Sequence, residues 1–404
     1  METIDSMSNI IDIKKVIKSF NEQQEEAFFK LLHSIFTNKD KSFVLSGVSG
    51  SGKTKLINNL ANFLLNDLNL SVNVTALTGK AVMNIRKHLN ANIRTGTLHG
   101  FLTECKYYNK EDYYFDFLDN KQFYVHFNKS VFIIDESSMI PQTFLDYLLE
   151  KEGIILIFVG DKEQLGPIGK NDINIMNYYD YHLDKIERTN NDIVDLSKKV
   201  RETGKIPKNF NSPNVEIINR NEPSLDWIKK NISKFDVMIC GTNRTKDRLN
   251  VMAREAEGFE SEMPEIGETI VCRKNYHDMK KSKPIYNGEL FEVINHYPKN
   301  KISKVICYEI VPKHSNFNEP YLVYFHPETW NQREVNTKKF DIKQHKYHNY
   351  IFDFGYAITC HSSQGSEWNN VVFINENVSY FLEQKRFVYT GVTRAIDHVT
   401  IFTK

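Results

Sequence analysis

The chain has 404 residues, 41% apolar and 25% charged, with a formal net charge of +1. That length favours two or more domains over a single core, and the balanced charge excludes a strongly basic, passive coat for nucleic acid while leaving room for a local binding groove. The longest apolar run, Ile154 to Val159, is far short of a membrane span, and the opening residues show no basic stretch followed by an apolar one, so neither membrane insertion nor a signal peptide is expected. The five cysteines form no CxxC pair, which argues against a zinc site or a disulfide framework and for a reducing cytoplasm.

In chain order, Phe43–Ser46 is a short apolar run entering a glycine-rich turn, and Lys55–Leu65 places Leu56, Ile57, Leu60, Phe63 and Leu64 on one helical face. Val72–Leu77, Val131–Ile134 and Ile154–Val159 read as further strands, and strands separated by helices predict a parallel sheet with both faces covered. Tyr114–Leu118 and Phe123–Phe127 alternate aromatic and polar residues around Asp119–Asn120, the pattern of a β-hairpin inserted near 102–128. The second half, from about Asn191, has buried strands at Val237–Cys240 and Val371–Ile374 and a helix at Arg244–Glu255. Between them Thr269–Cys272, Glu289–Ile294, Val305–Val311 and Tyr321–Phe325 are closely spaced short strands, which predicts a small β-barrel over 264–350. His345 and His348 lack partners at ligand spacing and are read as surface residues.

Gly47-Val48-Ser49-Gly50-Ser51-Gly52-Lys53-Thr54 fits GxxxxGK[ST] between a strand and a helix. Gly47, Ser49, Gly50, Ser51 and Gly52 would turn backbone N–H groups toward phosphate oxygens, Lys53 would reach the β- and γ-phosphates, and Thr54 would ligate Mg²⁺. Val131-Phe132-Ile133-Ile134-Asp135-Glu136 is a strand ending in two carboxylates. Behind a P-loop, Asp135 suits the metal and Glu136 the polarisation of an attacking water. Gln164, after the strand that ends at Val159-Gly160-Asp161, is placed to sense the γ-phosphate. ATP and Mg²⁺ are therefore the expected cofactors.

The ordered series GVSGSGKT, IIDESSM, VGDKEQL, LDKIERT, AITCHSSQGSEW and YTGVTRA resembles the motifs of superfamily 1 helicases, nearest to the RecD-like branch that includes the phage Dda helicase. The resemblance runs from about Phe20 to Arg394. It implies an α/β fold of two RecA-like P-loop lobes with parallel sheets, a β-hairpin insert in the first and a small SH3-like β-barrel insert in the second. The first lobe would comprise 1–101 and 129–190, the hairpin 102–128, the second lobe 191–263 and 351–404, and the barrel 264–350.

Residue by residue, Gln24 in Phe20-Asn21-Glu22-Gln23-Gln24 resembles the Q motif and would read the adenine edge. Arg188 and Arg394 match the two γ-phosphate arginines, whose guanidinium groups stabilise developing charge. Gly365 and Glu367 match the ribose-contacting segment. UvrD-like members place a tyrosine before the first arginine to stack on adenine; here that position is Glu187, so the adenine face must be covered otherwise. Thr78 and Lys80, Thr97 and His99, Thr242 and Asn243, and His361, Ser362 and Ser363 resemble the strand-contacting motifs. Asn287, in Tyr286-Asn287-Gly288, stands at a tight strand entry of the barrel. Small hydroxyls and loop amides can bond phosphates without reading sequence, and for each of them a capping or turn role is the plain alternative.

The implied activity is ATP-dependent unwinding of duplex DNA, with 5′-to-3′ translocation on single-stranded DNA inferred from insert size. Expected partners are single-stranded and tailed duplex DNA, with replication or recombination proteins, the enzyme acting as a monomer. Two other classes fit the same motifs: a DNA-stimulated ATPase that remodels protein–DNA complexes without unwinding, and an ATP-switched loader that does not hydrolyse.

Overall fold

The computed structural model describes residues 13–37, 41–102, 130–167, 172–187, 192–210, 212–276, 285–297, 306–313, 319–325, 327, 330, 350–378 and 381–404. The expected hairpin lies outside the described residues beyond its first position, as do Arg188, His345 and His348. Contacts divide the chain into two compact units, Met1–Thr189 and Asn190–Lys404.

In the first unit the order is α1 (Ile13–Ile17), α2 (Glu22–Thr37), β1 (Ser42–Gly47), α3 (Lys53–Asn66), β2 (Ser71–Ala76), α4 (Gly79–Arg86), β3 (Arg94–Thr97), α5 (Leu98–Leu102), β4 (Ser130–Asp135), α6 (Gln142–Glu150), β5 (Ile154–Gly160) and β6 (Tyr181–Leu183). The strands form one sheet in the order β3-β2-β4-β5-β1-β6, every pairing parallel. A parallel sheet needs both faces covered. One face packs on α2, α3 and α4 through residues such as Phe28, Leu31, Leu56, Leu60 and Val82. The other packs on Leu98, Phe101 and the Phe144, Leu145 and Leu148 face of α6. The helical face read in the sequence is the buried one: Leu56, Ile57, Leu60 and Leu64 have no exposed surface, and Phe63 is buried with them. Truncating Leu60 to Ala would cost about 2–5 kcal/mol and loosen the helix that follows the glycine-rich turn.

The second unit runs α7 (Asp192–Thr203), β7 (Val215–Asn219), α8 (Leu225–Asn231), β8 (Val237–Cys240), α9 (Asn243–Glu257), β9 (Thr269–Cys272), β10 (Leu290–Tyr297), β11 (Ile306–Pro312), β12 (Tyr321–Phe325), β13 (Phe352–Phe354), β14 (Ala357–Thr359), β15 (Trp368–Ile374), α10 (Phe381–Val392) and β16 (Ala395–Thr403). Its main sheet is parallel, in the order β14-β8-β15-β16-β7. These two sheets give the α/β class with parallel sheets that was expected.

The insert is antiparallel, in the order β12-β11-β10-β9-β13. The short strands were legible; among the described residues no strand ladder pairs β12 with β13, but the Tyr350 N–H, just ahead of β13, donates to the Tyr324 carbonyl of β12 at 3.1 Å. The fifth strand, β13, lies past the expected boundary at 350. Two buried ion pairs tie the insert sheet to α9. Lys246 Nζ lies 2.5 Å from Asp353 Oδ2, which also takes Arg273 at 3.0 Å. Arg254 Nε donates to the fully buried Glu268 at 2.6 Å.

Candidate nucleotide site and nucleic-acid-facing residues

β1 ends at Gly47, and the chain turns through the glycine-rich loop into α3 at Lys53. Gly50 and Gly52 both adopt φ +78°, a region that L side chains rarely enter. A side chain at Gly52 would also collide with Gln24, since a Cβ there would sit 2.3 Å from Gln24 Nε2. No side chain caps α3, so its first N–H groups are open to an anion, favoured also by the helix dipole. Lys53 Nζ folds across the loop and donates to the carbonyls of Gly47 and Val48 at 2.7 and 3.0 Å. Those are bonds a phosphate oxygen can replace.

The strand order places β5 between β1 and β4, so the ends of the three strands share one edge. Asp135 closes β4 and is buried. Burial, and then the neighbouring Glu136 charge, push its carboxyl up to about 7, against the opposing pull of the Glu136 N–H and the Lys53 ammonium. Lys53 is thus close enough to act electrostatically on Asp135. Glu136 follows with φ +54° and ψ +35°, the left-handed conformation that a non-glycine residue adopts only when its surroundings enforce it.

Gln164 is buried beyond β5, where its N–H donates to the Asp161 carbonyl at 3.2 Å and its side-chain Oε1 has no partner among the described residues. Ser51 Oγ is a second buried polar atom without a partner, and it is in the loop itself. Thr54 lies in the first turn of α3. A hydroxyl and a buried carboxylate are hard oxygen donors, which suit Mg²⁺ carried by a phosphate chain. Among the described residues no group of three or more His, Cys, Asp or Glu could hold a metal unaided.

Gln24 does not present a free amide to a ligand. It is completely buried, its Oε1 accepts from the Asn21 N–H at 3.2 Å, and its Nε2 donates to the Ser51 carbonyl at 3.0 Å. Glu187 stands at the lip of the loop. Its N–H donates to the Gly50 carbonyl at 2.8 Å, and its carboxylate accepts from the Asn21 side chain.

In the first unit, Thr78 Oγ1 caps α4 by accepting from the Ala81 N–H at 3.3 Å, with Lys80 half-buried in the helix behind it. Thr97 is buried and accepts from the Gly100 N–H at 3.2 Å, and His99 packs 5.8 Å from the Phe144 ring. A hydroxyl that accepts in a cap can still donate, so capping and phosphate contact are compatible for an exposed threonine but not for the buried Thr97.

In the second unit Thr242 caps α9, accepting from the Thr245 N–H at 3.2 Å, while Asn243 is exposed. Glu376 occupies the same helix end and accepts from the N–H groups of Gly241 and Thr242 and from both threonine hydroxyls. Sequence reasoning missed Glu376; acidic residues at helix N-termini are a known signal, but this one comes from 131 residues or more away. Ser363 Oγ is buried and donates to the Cys360 carbonyl at 2.7 Å, whereas Ser362 is exposed and shares a 2.9 Å bond with Thr359. Burial lowers the His361 pKa. The structure brings the Asn287-Gly288 turn to this segment: a Cβ on Gly288 would lie 3.6 Å from the Ser362 carbonyl. Gly365 turns with φ +73° ahead of the exposed Glu367.

Arg394 is buried, and its partners among the described residues are neutral: the carbonyls of Thr390 and Ser366, each at 3.1 Å, and Thr393 Oγ1 at 3.2 Å. A buried guanidinium whose partners are neutral keeps an uncompensated positive charge, which favours an anion.

A family model described as an AAA domain matches residues 19–212, and one described as a UvrD-like helicase C-terminal domain matches residues 354–402. The RecD subunit of the RecBCD enzyme from Buchnera aphidicola is 24% identical over 469 residues, covering 96% of this chain and 74% of that protein. The chain is thus similar to superfamily 1 helicases of the RecD-like branch.

Two uncharacterised relatives of this chain come from Acanthamoeba polyphaga mimivirus, 25% identical over 68% of the chain, and Methanocaldococcus jannaschii, 26% identical over 93%. The chain spans 65% and 37% of their respective lengths. Its fold is also that of Pif1 helicase from Candida albicans, with a TM-score of 0.56 at 17% identity over 95% of both chains. Pif1 from Bacteroides in complex with ADP-AlF3 and ssDNA gives 0.53 at 17% identity, covering 94% of this chain and 92% of that one. The likeness supports the two-lobed reading of the parallel sheets. No helix among the described residues is long and apolar enough to cross a membrane.

Proposed function

We propose that the protein is an ATP-dependent DNA helicase that translocates 5′-to-3′ on single-stranded DNA and unwinds tailed duplexes. The observation that supports it most is the convergence, on one sheet edge, of an uncapped α3 N-terminus, the Lys53 ammonium, and the buried Asp135 with Glu136 beside it. Such a constellation binds a nucleoside triphosphate with Mg²⁺ and hydrolyses its terminal phosphoanhydride. Bound Mg²⁺ would supply charge neutralisation on the phosphates, held by Thr54 and Asp135. Lys53 would leave the Gly47 and Val48 carbonyls for phosphate oxygens. Glu136 accepts the proton of the attacking water, and Gln164 donates from its amide to the γ-phosphate. Arg188 and Arg394 are assigned to the developing charge by motif resemblance, and the neutral surroundings of Arg394 suit that role. A base for hydrolysis and a buried, acid-free arginine both favour a turnover enzyme over a non-hydrolysing loader.

Single-stranded DNA is the proposed track. The exposed Asn243, Ser362 and Asn287 and the half-buried Thr78 and Lys80 are its proposed contacts in the two units, with Gly365 and Glu367 retained for the nucleotide. Thr97 and Ser363 hold their loops from inside. The Bacteroides relative named above was solved with ssDNA, which supports this choice of ligand. Unwinding and polarity are tested with three duplexes at equal protein and a trap strand: 5′-tailed, 3′-tailed and blunt. Unwinding of the 5′-tailed substrate is expected. Efficient unwinding of the 3′-tailed duplex alone would overturn the polarity, and ATP hydrolysis without strand separation on any of them would favour a translocase that remodels protein–DNA complexes.

A further inference from the structure

Gln24 is the third residue of α2, and with Asn21 it forms a reciprocal cap. Asn21 Oδ1 accepts from the Gln24 N–H at 3.0 Å, while Gln24 Oε1 accepts from the Asn21 N–H at 3.2 Å. The cap fixes which way the amide points. Its Nε2 is left facing the glycine-rich loop, where it donates to the Ser51 carbonyl at 3.0 Å in a fully buried contact. The contact is tight, since only the missing Cβ of Gly52 makes room for the amide. A second strut holds the preceding peptide, the Glu187 N–H donating to the Gly50 carbonyl at 2.8 Å. Glu187 is in turn bonded to the Asn21 side chain.

No peptide bond here is cis. In a trans peptide the carbonyl and the following N–H point in opposite directions. Drawing the Ser51 carbonyl toward Gln24 therefore turns the Gly52 N–H to the other side. That N–H bonds no protein group among the described residues. It lies at the uncapped start of α3, where a phosphate oxygen would sit.

We propose that Gln24 is a positioning residue for the phosphate chain: through the Ser51–Gly52 peptide it presents the Gly52 N–H to a phosphate oxygen, and it takes no part in choosing the base. The proposal rests on the nucleotide-binding reading above. It follows that every ligand carrying the same phosphates should feel the loss of Gln24 equally.

The test uses the full chain and three probes with Mg²⁺: ATP, GTP and inorganic tripolyphosphate. Dissociation constants are measured for the parent, Gln24→Met, Gln24→Ala and Asn21→Ala. Gln24→Met keeps the volume and removes the donor, and should weaken all three probes by a similar factor, on the order of tenfold. Gln24→Ala should do the same or more. Asn21→Ala loosens the cap from a half-buried position and should give a smaller but equally uniform loss, which carries the test if the buried substitutions fail to fold. A loss confined to ATP, with tripolyphosphate unaffected, would make Gln24 a base reader and overturn the proposal, as would unchanged affinity for all three. Failure of the underlying reading looks different: the parent would bind no tripolyphosphate, or Lys53→Ala would bind ATP as the parent does.

Discussion

The backbone N–H of Glu136 donates to Asp135 Oδ1 at 2.9 Å, so the residue that raises the Asp135 pKa by its charge also supplies one of the bonds that lower it. Burial outweighs that bond, and the carboxyl is pushed up to about 7. Burial thus favours the protonated form of Asp135. Mg²⁺ requires the carboxylate. Binding of preformed Mg²⁺–ATP should release close to one proton below pH 7 and progressively less above it, and affinity should rise with pH up to about that point. Calorimetry in two buffers of different ionisation enthalpy measures the count. No proton release at pH 6 would remove Asp135 from the metal.

Among the described residues Arg394 donates to two carbonyls and a hydroxyl and meets no carboxylate. Arg394→Lys keeps the charge but loses the fork, and should lower turnover by roughly two to four decades while nucleotide affinity changes little. Arg394→Ala would add a folding cost by stranding the Thr390 and Ser366 carbonyls, so the lysine variant is the cleaner one. Turnover intact with only the apparent ATP affinity weakened would reassign Arg394 to a structural role.

Glu376 gathers two N–H groups and two threonine hydroxyls at the start of α9. Glu376→Ala should destabilise the second unit by about 1–3 kcal/mol, the range for leaving such donors unmet, read by chemical denaturation. If Thr242 also bonds a DNA phosphate, the same variant should shift single-strand affinity, because the hydroxyl loses its fixed acceptor. Unchanged stability would mean that water replaces the carboxylate without loss.

Asp353 is buried between Lys246 and Arg273. Asp353→Ala leaves two cations facing one another and should cost about 3–5 kcal/mol. Adding Lys246→Met should recover a large part of that. If the double variant were no more stable than the single one, the pair would not be what joins the insert sheet to α9.

Much of this was legible in the sequence because the periodicities are local. The apolar face of α3 and the continuous apolar strands β4 and β5 follow from residues a few positions apart. What was illegible depended on distant neighbours. The short strands β6, β13 and β14 have three residues each and acquire their identity only from the strand beside them. The barrel was inferred from strand spacing, which does not encode contacts between the end strands such as the Tyr350 N–H to Tyr324 carbonyl bond. In the site, the P-loop glycines and the Asp135-Glu136 pair were recognisable because spacing dictates their geometry. Gln24 was assigned to a base because motif position says nothing about which atoms its amide already holds. The Asn-x-x-Gln pattern of a capping box was present at Asn21 and Gln24 and signals the fold-bound alternative.

The central claim is that this site hydrolyses ATP in response to DNA, with Glu136 as the base. The most direct measurement is steady-state ATP hydrolysis with and without single-stranded DNA, for the parent and for Glu136→Gln, alongside equilibrium nucleotide binding. The parent should turn over ATP faster when single-stranded DNA is present. Glu136→Gln should bind ATP normally and lose roughly two to four decades of turnover, the range for removal of a general base. Hydrolysis by Glu136→Gln at the parent's rate, or a parent that hydrolyses no ATP with DNA present, would contradict it.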